Sequence, residues 1–298
     1  MTTLPMARRE VLRQCKQDLL DSGFFHRDGC YYRIDVENRF AIVLGSSLLR
    51  GNTISMFFSP VPLFSEFRFD TKRDRAAMSG YSLSDFEKAF ADDFPDYKKA
   101  VYPIQKIYIH ENGAFARRAG VFIEEGGGHK EVCSPSPSSL PLEEQCVFMV
   151  NYIKNLALPV FNRIHTLRDL YEFRLIMEKK IRGDRFITCL SAYLPIILGD
   201  WDVALACMEH AAEHQDIWLD SQRRSYAEER MCNDEFQRCV DSVEKKKRKY
   251  AEEIEHILAK DSTFFEERFE KNFRNTVESM REQFPIEIRK GILKLPDF

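Results

Sequence analysis

Cys30-Tyr-Tyr-Arg-Ile-Asp-Val36 changes character at every step. In an extended chain Cys30, Tyr32, Ile34 and Val36 fall on one face, and Tyr31, Arg33 and Asp35 on the other. Successive side chains of a strand point to opposite faces, so the stretch predicts a half-buried β-strand. Glu37-Asn-Arg39 turns into Phe40-Ala-Ile-Val-Leu44, and Arg50-Gly-Asn52 turns into Thr53-Ile-Ser-Met-Phe-Phe58. Connections this short join antiparallel neighbours, so the three segments predict a meander. Pro60 and Pro62 are expected to end it, since proline brings no N–H to a ladder.

On the N-terminal side, residues 6–21 predict a helix with Leu12, Cys15 and Leu19 on one face, stopped by Ser22-Gly23. On the C-terminal side, residues 66–80 read as a polar excursion. Ser84 and Glu87 have the spacing of a capping box for a short helix that buries Leu83, Phe86 and Phe90. Residues 104–109 and 121–123 predict two further strands. In 126–141, ten of sixteen residues are Gly, Ser or Pro, which predicts a loop.

Everything after that loop reads as helix. Leu142, Cys146, Met149, Ile153 and Val160 keep a 3.6-residue period, disturbed at Pro159. Thr166 and Asp169 open a helix facing inward through Leu170, Phe173 and Met177, with Gly183 as its end. Asp184 and Asp200 are expected N-caps, and Gly199 closes the helix between them. One long helical stretch is expected over 217–260, broken by lysines near 246, as a hairpin or a coiled-coil partner. A last helix over 262–284 carries Phe265, Phe269, Phe273, Val277, Met280 and Phe284 on one stripe. Asp261 or Ser262 caps it and Pro285 stops it.

Composition narrows the function classes. The chain has 298 residues, 44% hydrophobic and 12% aromatic, which is enough apolar surface to fold. Its 44 basic and 47 acidic residues nearly cancel and do not segregate, unlike the basic balance of a dedicated nucleic-acid binder. Apolar runs are too short to span a membrane, and the N-terminus lacks a signal-peptide core. A cytoplasmic location is therefore expected. The eight cysteines are scattered, with no C-x-x-C pair, and read as reduced core residues.

Three motifs carry candidate chemistry. His210-Ala-Ala-Glu213-His214 places two imidazoles one helical turn apart, in the H-x-x-E-H order of inverzincin metallopeptidases, which need a third acidic ligand. Lys245-Lys-Lys-Arg-Lys249 is a basic run that could meet phosphates, but Glu252, Glu253 and Glu255 follow it. His26-Arg-Asp28 spells the start of a kinase catalytic loop, but Arg33 stands where that loop needs Asn. Gly199, Ala204, Met208 and Ala211 resemble one tetratricopeptide hairpin without a second copy, and read as ordinary packing of two helices. No G-x-S-x-G and no complete P-loop occurs.

Gly23-Phe-Phe-His-Arg-Asp-Gly-Cys-Tyr-Tyr-Arg33 resembles the opening of a bacterial family known only as domain of unknown function 4304. Ala157-Leu-Pro-Val-Phe-Asn-Arg-Ile-His-Thr-Leu-Arg-Asp-Leu170 is similar to its later segment. The likeness spans roughly residues 8–175, judged by motif order. It implies that residues 142–175 pack with the N-terminal sheet. It implies no known activity, cofactor or catalytic residue.

The expected fold is α+β: an N-terminal helix and antiparallel β-meander packed with helices, followed by an all-α C-terminal region. The expected domains are 1–182, containing the 126–141 loop, and 183–298. The expected function is a non-enzymatic protein-interaction module, an adaptor or immunity-like binder. Its contacts would come from Tyr31, Phe57 and the exposed side of the last helix. The alternatives are a metal-dependent hydrolase using His210, Glu213 and His214, and a weak nucleic-acid binder using residues 245–249. No catalytic residue, cofactor or membrane contact is expected; a protein partner is.

Overall fold

The computed structural model describes residues 4–49, 53–64, 83–97, 142–182, 192–228 and 232–298. It has the expected α+β architecture, with an antiparallel meander in the N-terminal part and helices in the C-terminal part. The expected strands at 104–109 and 121–123, the excursion at 66–80, the loop at 126–141, and the Gly183 and Asp184 signals lie outside the described residues. The chain divides into two compact units. One contains the described residues of 1–63, 67–166 and 276–298, and the other those of 64–66 and 167–275.

In the first unit, α1 (Leu4–Gln14) and α2 (Lys16–Asp21) stand where one helix is expected. The step between them falls at Cys15, which is buried. Gly23 ends the pair with φ +80, and Phe24 N–H donates to Leu19 O at 2.9 Å, which closes the last turn through a left-handed residue.

A strand that the sequence reading missed follows. β1 (Phe25–Arg27) pairs with β2 (Cys30–Asp35) across the two-residue turn Asp28-Gly29. Both turn residues have positive φ, 48 and 81, as the primed turn of a tight hairpin requires. The His26-Arg-Asp28 string is therefore the end of a strand and its turn.

β3 (Phe40–Leu49) and β4 (Thr53–Pro62) complete the order β1-β2-β3-β4. Both strands are longer than expected, with pairing from Leu49↔Thr53 to Phe40↔Pro62. Pro60 and Pro62 thus lie inside β4 rather than beyond it. Leu63 N–H donates to Arg39 O at 2.7 Å, so the odd-numbered residues turn their amides toward β3. The two prolines occupy the even positions, whose amides would point away from the ladder, and no bond is lost.

Helices cover the sheet. α3 (Leu83–Phe90) buries Phe86 and Phe90, while the Ser84 side chain of the expected capping box lies outside the described residues. The Glu87 carboxylate is buried and accepts a hydrogen bond from the Tyr97 hydroxyl. α4 (Leu142–Tyr152) runs through a π-turn (Ile153–Ala157) into α5 (Leu158–Phe161). The wide turn contains Asn155, four residues before Pro159, where the proline ring would strike a carbonyl and no amide is available to bond it. Phe86 meets Tyr152 and Phe161 at 6.0 and 5.3 Å between ring centroids. The chain's end returns here: Phe284 packs edge-on against Phe25 and Tyr32, at 5.5 and 5.1 Å, just before α11 (Pro285–Arg289).

The second unit is helical. α6 (Leu167–Arg182) and α7 (Tyr193–Ile197) precede Gly199, which has φ +75, and Asp200. The Asp200 side chain accepts from Val203 N–H and caps α8 (Trp201–Ala227). α9 (Asn233–Leu258) packs along α8 as a hairpin. The helical stretch expected over 217–260, as a hairpin or a coiled-coil partner, belongs to this hairpin, with other bounds and another break. α8 begins at Trp201, the break lies between 227 and 233, and the lysines near 246 sit inside an unbroken α9. Asp261, its carboxyl held below the usual range by a hydrogen bond from His256, caps α10 (Ser262–Gln283) through Phe264 N–H at 3.3 Å. From Thr276 onward α10 belongs with the first unit. No helix among the described residues is long and apolar enough to cross a membrane.

Candidate functional site

The two stretches that carry the family likeness meet at Arg33. Its Nη2 donates to Phe161 O at 2.8 Å and to Ile164 O at 2.7 Å. The Phe161 carbonyl, at the last residue of α5, also accepts from Ile164 N–H at 3.0 Å, and the Ile164 carbonyl lies in the turn that follows. The guanidinium lies within 6 Å of the Phe24 and Phe40 rings, and burial lowers its pKa. Beside it opens a cleft of about 540 Å³, with Asp21, Asp35, Glu37, His165 and Lys294 on its walls. Several wall groups are already engaged: Asp35 accepts from Asn38 N–H and Nδ2 at 2.8 and 2.9 Å, and Asn162 donates to Ser22. This cleft is a braced junction of loops.

The second unit has a different construction. At the base of the α8–α9 hairpin, Glu253 is fully buried yet charged neighbours surround it. Its carboxylate accepts from Arg268 and from the Tyr193 hydroxyl, and Arg268 Nη2 also donates to Tyr193 Oη at 3.1 Å. Lys249 Nζ stands 4.0 Å away. A buried carboxylate is tolerated only when its lone pairs are met, so this network pins α9 against α7 and α10 in one register. Across the corner to α10, the His256 ring lies flat on Phe264 at 3.7 Å, and its Nδ1 meets Asp261 at 2.9 Å.

Beyond this base the hairpin becomes an arm. Residues 209–228 of α8 bury only Leu219, and residues 233–248 of α9 bury only Val243. Tyr226 stacks on Phe236 at 4.8 Å near the tip, and Lys247 Nζ bonds Asp216 at 2.8 Å midway. Ile217 is 59% exposed and Trp218 37% exposed on this arm. Both helices span about 40 Å at 1.5 Å per residue.

The candidate residues read from sequence fall as follows. His210 and His214 lie on one face of α8 with ring centroids 6.3 Å apart, and His210 Nδ1 is 3.9 Å from Glu213 Oε2. Among the described residues no group of three His, Cys, Asp or Glu side chains converges to hold a metal ion. Lys245, Lys246, Lys247 and Arg248 are exposed on α9. Tyr31, expected as a surface contact, is only 4% exposed, because the sheet is covered on both faces. The Phe57 side chain lies outside the described residues. The last helix presents Glu266, Glu267, Lys271 and Arg274 to solvent and buries its Phe stripe, so its exposed side offers no aromatic contact. Six described cysteines are free thiols. Burial pushes Cys15 and Cys207 up to about 12, which keeps both neutral and unreactive.

The signal for the arm was present in the sequence. Ile217 and Trp218 are adjacent, and two adjacent positions on a helix point about 100° apart, so one buried stripe cannot cover both. No family model, no curated protein and no solved structure matches the chain.

Proposed function

We propose that this chain is a non-enzymatic protein-interaction module, an adaptor or immunity-like binder of the bacterial cytoplasm, and that it engages its partner through the α8–α9 arm. The observation that carries this reading is the arm itself. About 40 Å of paired helix retains only Leu219 and Val243 as buried residues along its outer part, and displays Ile217 and Trp218. Large side chains left exposed on a rigid element are what protein interfaces use, with tryptophan and tyrosine prominent among the residues that dominate binding. The free thiols suit a reducing compartment.

The test is capture from the native host by tagged wild type and by an Ile217→Glu, Trp218→Glu variant. Wild type should retain a stoichiometric partner that the variant loses by at least about tenfold, while both melt at the same temperature. Equal capture by the two proteins refutes the arm as the contact.

A further inference from the structure

The arm has two unlike sides. Lys247 and Asp216 are bonded, so these positions share one side of the α8–α9 seam. A helix turns about 100° per residue. Trp218, two residues past Asp216, has turned about 200° and emerges on the opposite side. Lys246, one residue before Lys247, emerges there as well. The same turn places Glu209, Glu213, Asp216 and Asp220 of α8 and Glu244 of α9 on the Asp216 side, mixed with Arg223, Arg224, Lys247 and Arg248; Asp216 is bonded there to Lys247 and Asp220 to Arg223. The Trp218 side between 211 and 225 and between 239 and 249 holds no carboxylate. It carries Lys245, Lys246 and Lys249 beside Ala211, His214, Gln215, Ser221, Gln222, Ser225, Cys239 and Ser242. Lys245 and Lys246 have no carboxylate within ion-pair distance among the described residues.

We propose that the Trp218 side of the arm docks an amphipathic helix of a partner protein whose apolar stripe is flanked by Glu or Asp. The proposal rests on the interaction reading above and names the chemistry of its partner. Trp218 supplies an anchor for the partner's apolar stripe, and Lys245 and Lys246 meet its carboxylates. Charge complementarity singles out this occupant. A polyanion such as duplex DNA needs many cations along its path, whereas here three lysines are backed by a side of mixed sign in a chain of net charge -3. A partner with an acidic flank meets lysines and no carboxylate over this part of the Trp218 side, whereas the other side offers a mixture of both signs, which favours its position.

The experiment uses the full chain and two synthetic helical peptides of about 25 residues, one with a Leu stripe flanked by Glu and one with the same stripe flanked by Lys. Binding is followed by tryptophan fluorescence and calorimetry. The Glu-flanked peptide should bind at least about tenfold more tightly than the Lys-flanked one. Lys245→Glu with Lys246→Glu should weaken it about tenfold, while Glu213→Lys with Asp220→Lys on the other side should change it by less than about twofold. Absence of binding, equal binding of the two peptides, or tighter binding of a random duplex overturns the proposal. Concentration-dependent self-association that the lysine substitutions abolish also overturns it, in favour of a second copy of the chain. If host capture fails with the Ile217/Trp218 variant but not with the lysine variant, the acidic partner falls and the interaction reading stands. If neither variant loses capture, both fall.

Discussion

Arg33 shows how one side chain can decide a local architecture. Its two bonds tie β2 to the end of α5, 128 and 131 residues away in sequence. Arg33→Met keeps the aliphatic bulk but removes the guanidinium bond to the Ile164 carbonyl and one of the two bonds to Phe161 O, which keeps Ile164 N–H. The loss should be about 2 to 3 kcal/mol, read from denaturant midpoints at unchanged slope. Arg33→Lys should recover part of it. The sequence showed Arg33 only as an outward position of an alternating strand. Alternation identified the strand but not its surroundings: Tyr31 is as buried as Tyr32, because a period of two predicts burial on one face only when the other face is wet. Asp28-Gly29 was a legible hairpin signal, passed over because three residues of strand are too few for a pattern. Glu87 had capping-box spacing, and its carboxylate also receives the hydroxyl of Tyr97, ten residues on. Spacing alone does not reveal which partner tertiary packing supplies.

At the scale of elements, the arm divides α8 and α9 into an anchored base and a self-supporting outer part. Glu253, Arg268 and Tyr193 hold the base, while Val243 and Leu219 are the fully covered contacts farther out. Stability is then expected to be graded along the hairpin. Val243→Ala should weaken the outer arm by about 2 kcal/mol and speed its amide exchange about 30-fold, with the core amides of α4 and β3 unchanged. Uniform acceleration through the chain would show that the arm unfolds only with everything else. The helices of this region were legible from periodicity, and the Asp200 and Asp261 caps from their residue types. The break between them was not, because the lysine run near 246 interrupts hydrophobicity without interrupting the backbone. An exposed stretch of lysines and glutamates is as good a helix as any.

For the whole molecule, the distribution of phenylalanine suggests two cores, or one core that the final helix returns to complete. Thirteen of 24 Phe lie in residues 1–125 and six beyond 260. Phe284 joins these groups by packing on Phe25 and Tyr32 with no exposed surface. Phe284→Ala should cost about 3 to 5 kcal/mol of global stability, while Phe298→Ala, at a residue 54% exposed, should cost less than about 0.5 kcal/mol. If the two substitutions lower the melting temperature alike, the terminal segment does not complete this core. The prolines of β4 bear on behaviour in concentrated solution. β4 ends the described strand order, and along its outer margin Pro60 and Pro62 remove two successive donors. A strand from another molecule that tried to extend the sheet there would find no amide to bond at either position. Both prolines are also buried, so this stretch of the strand presents neither an amide to bond nor an open surface from which to reach one.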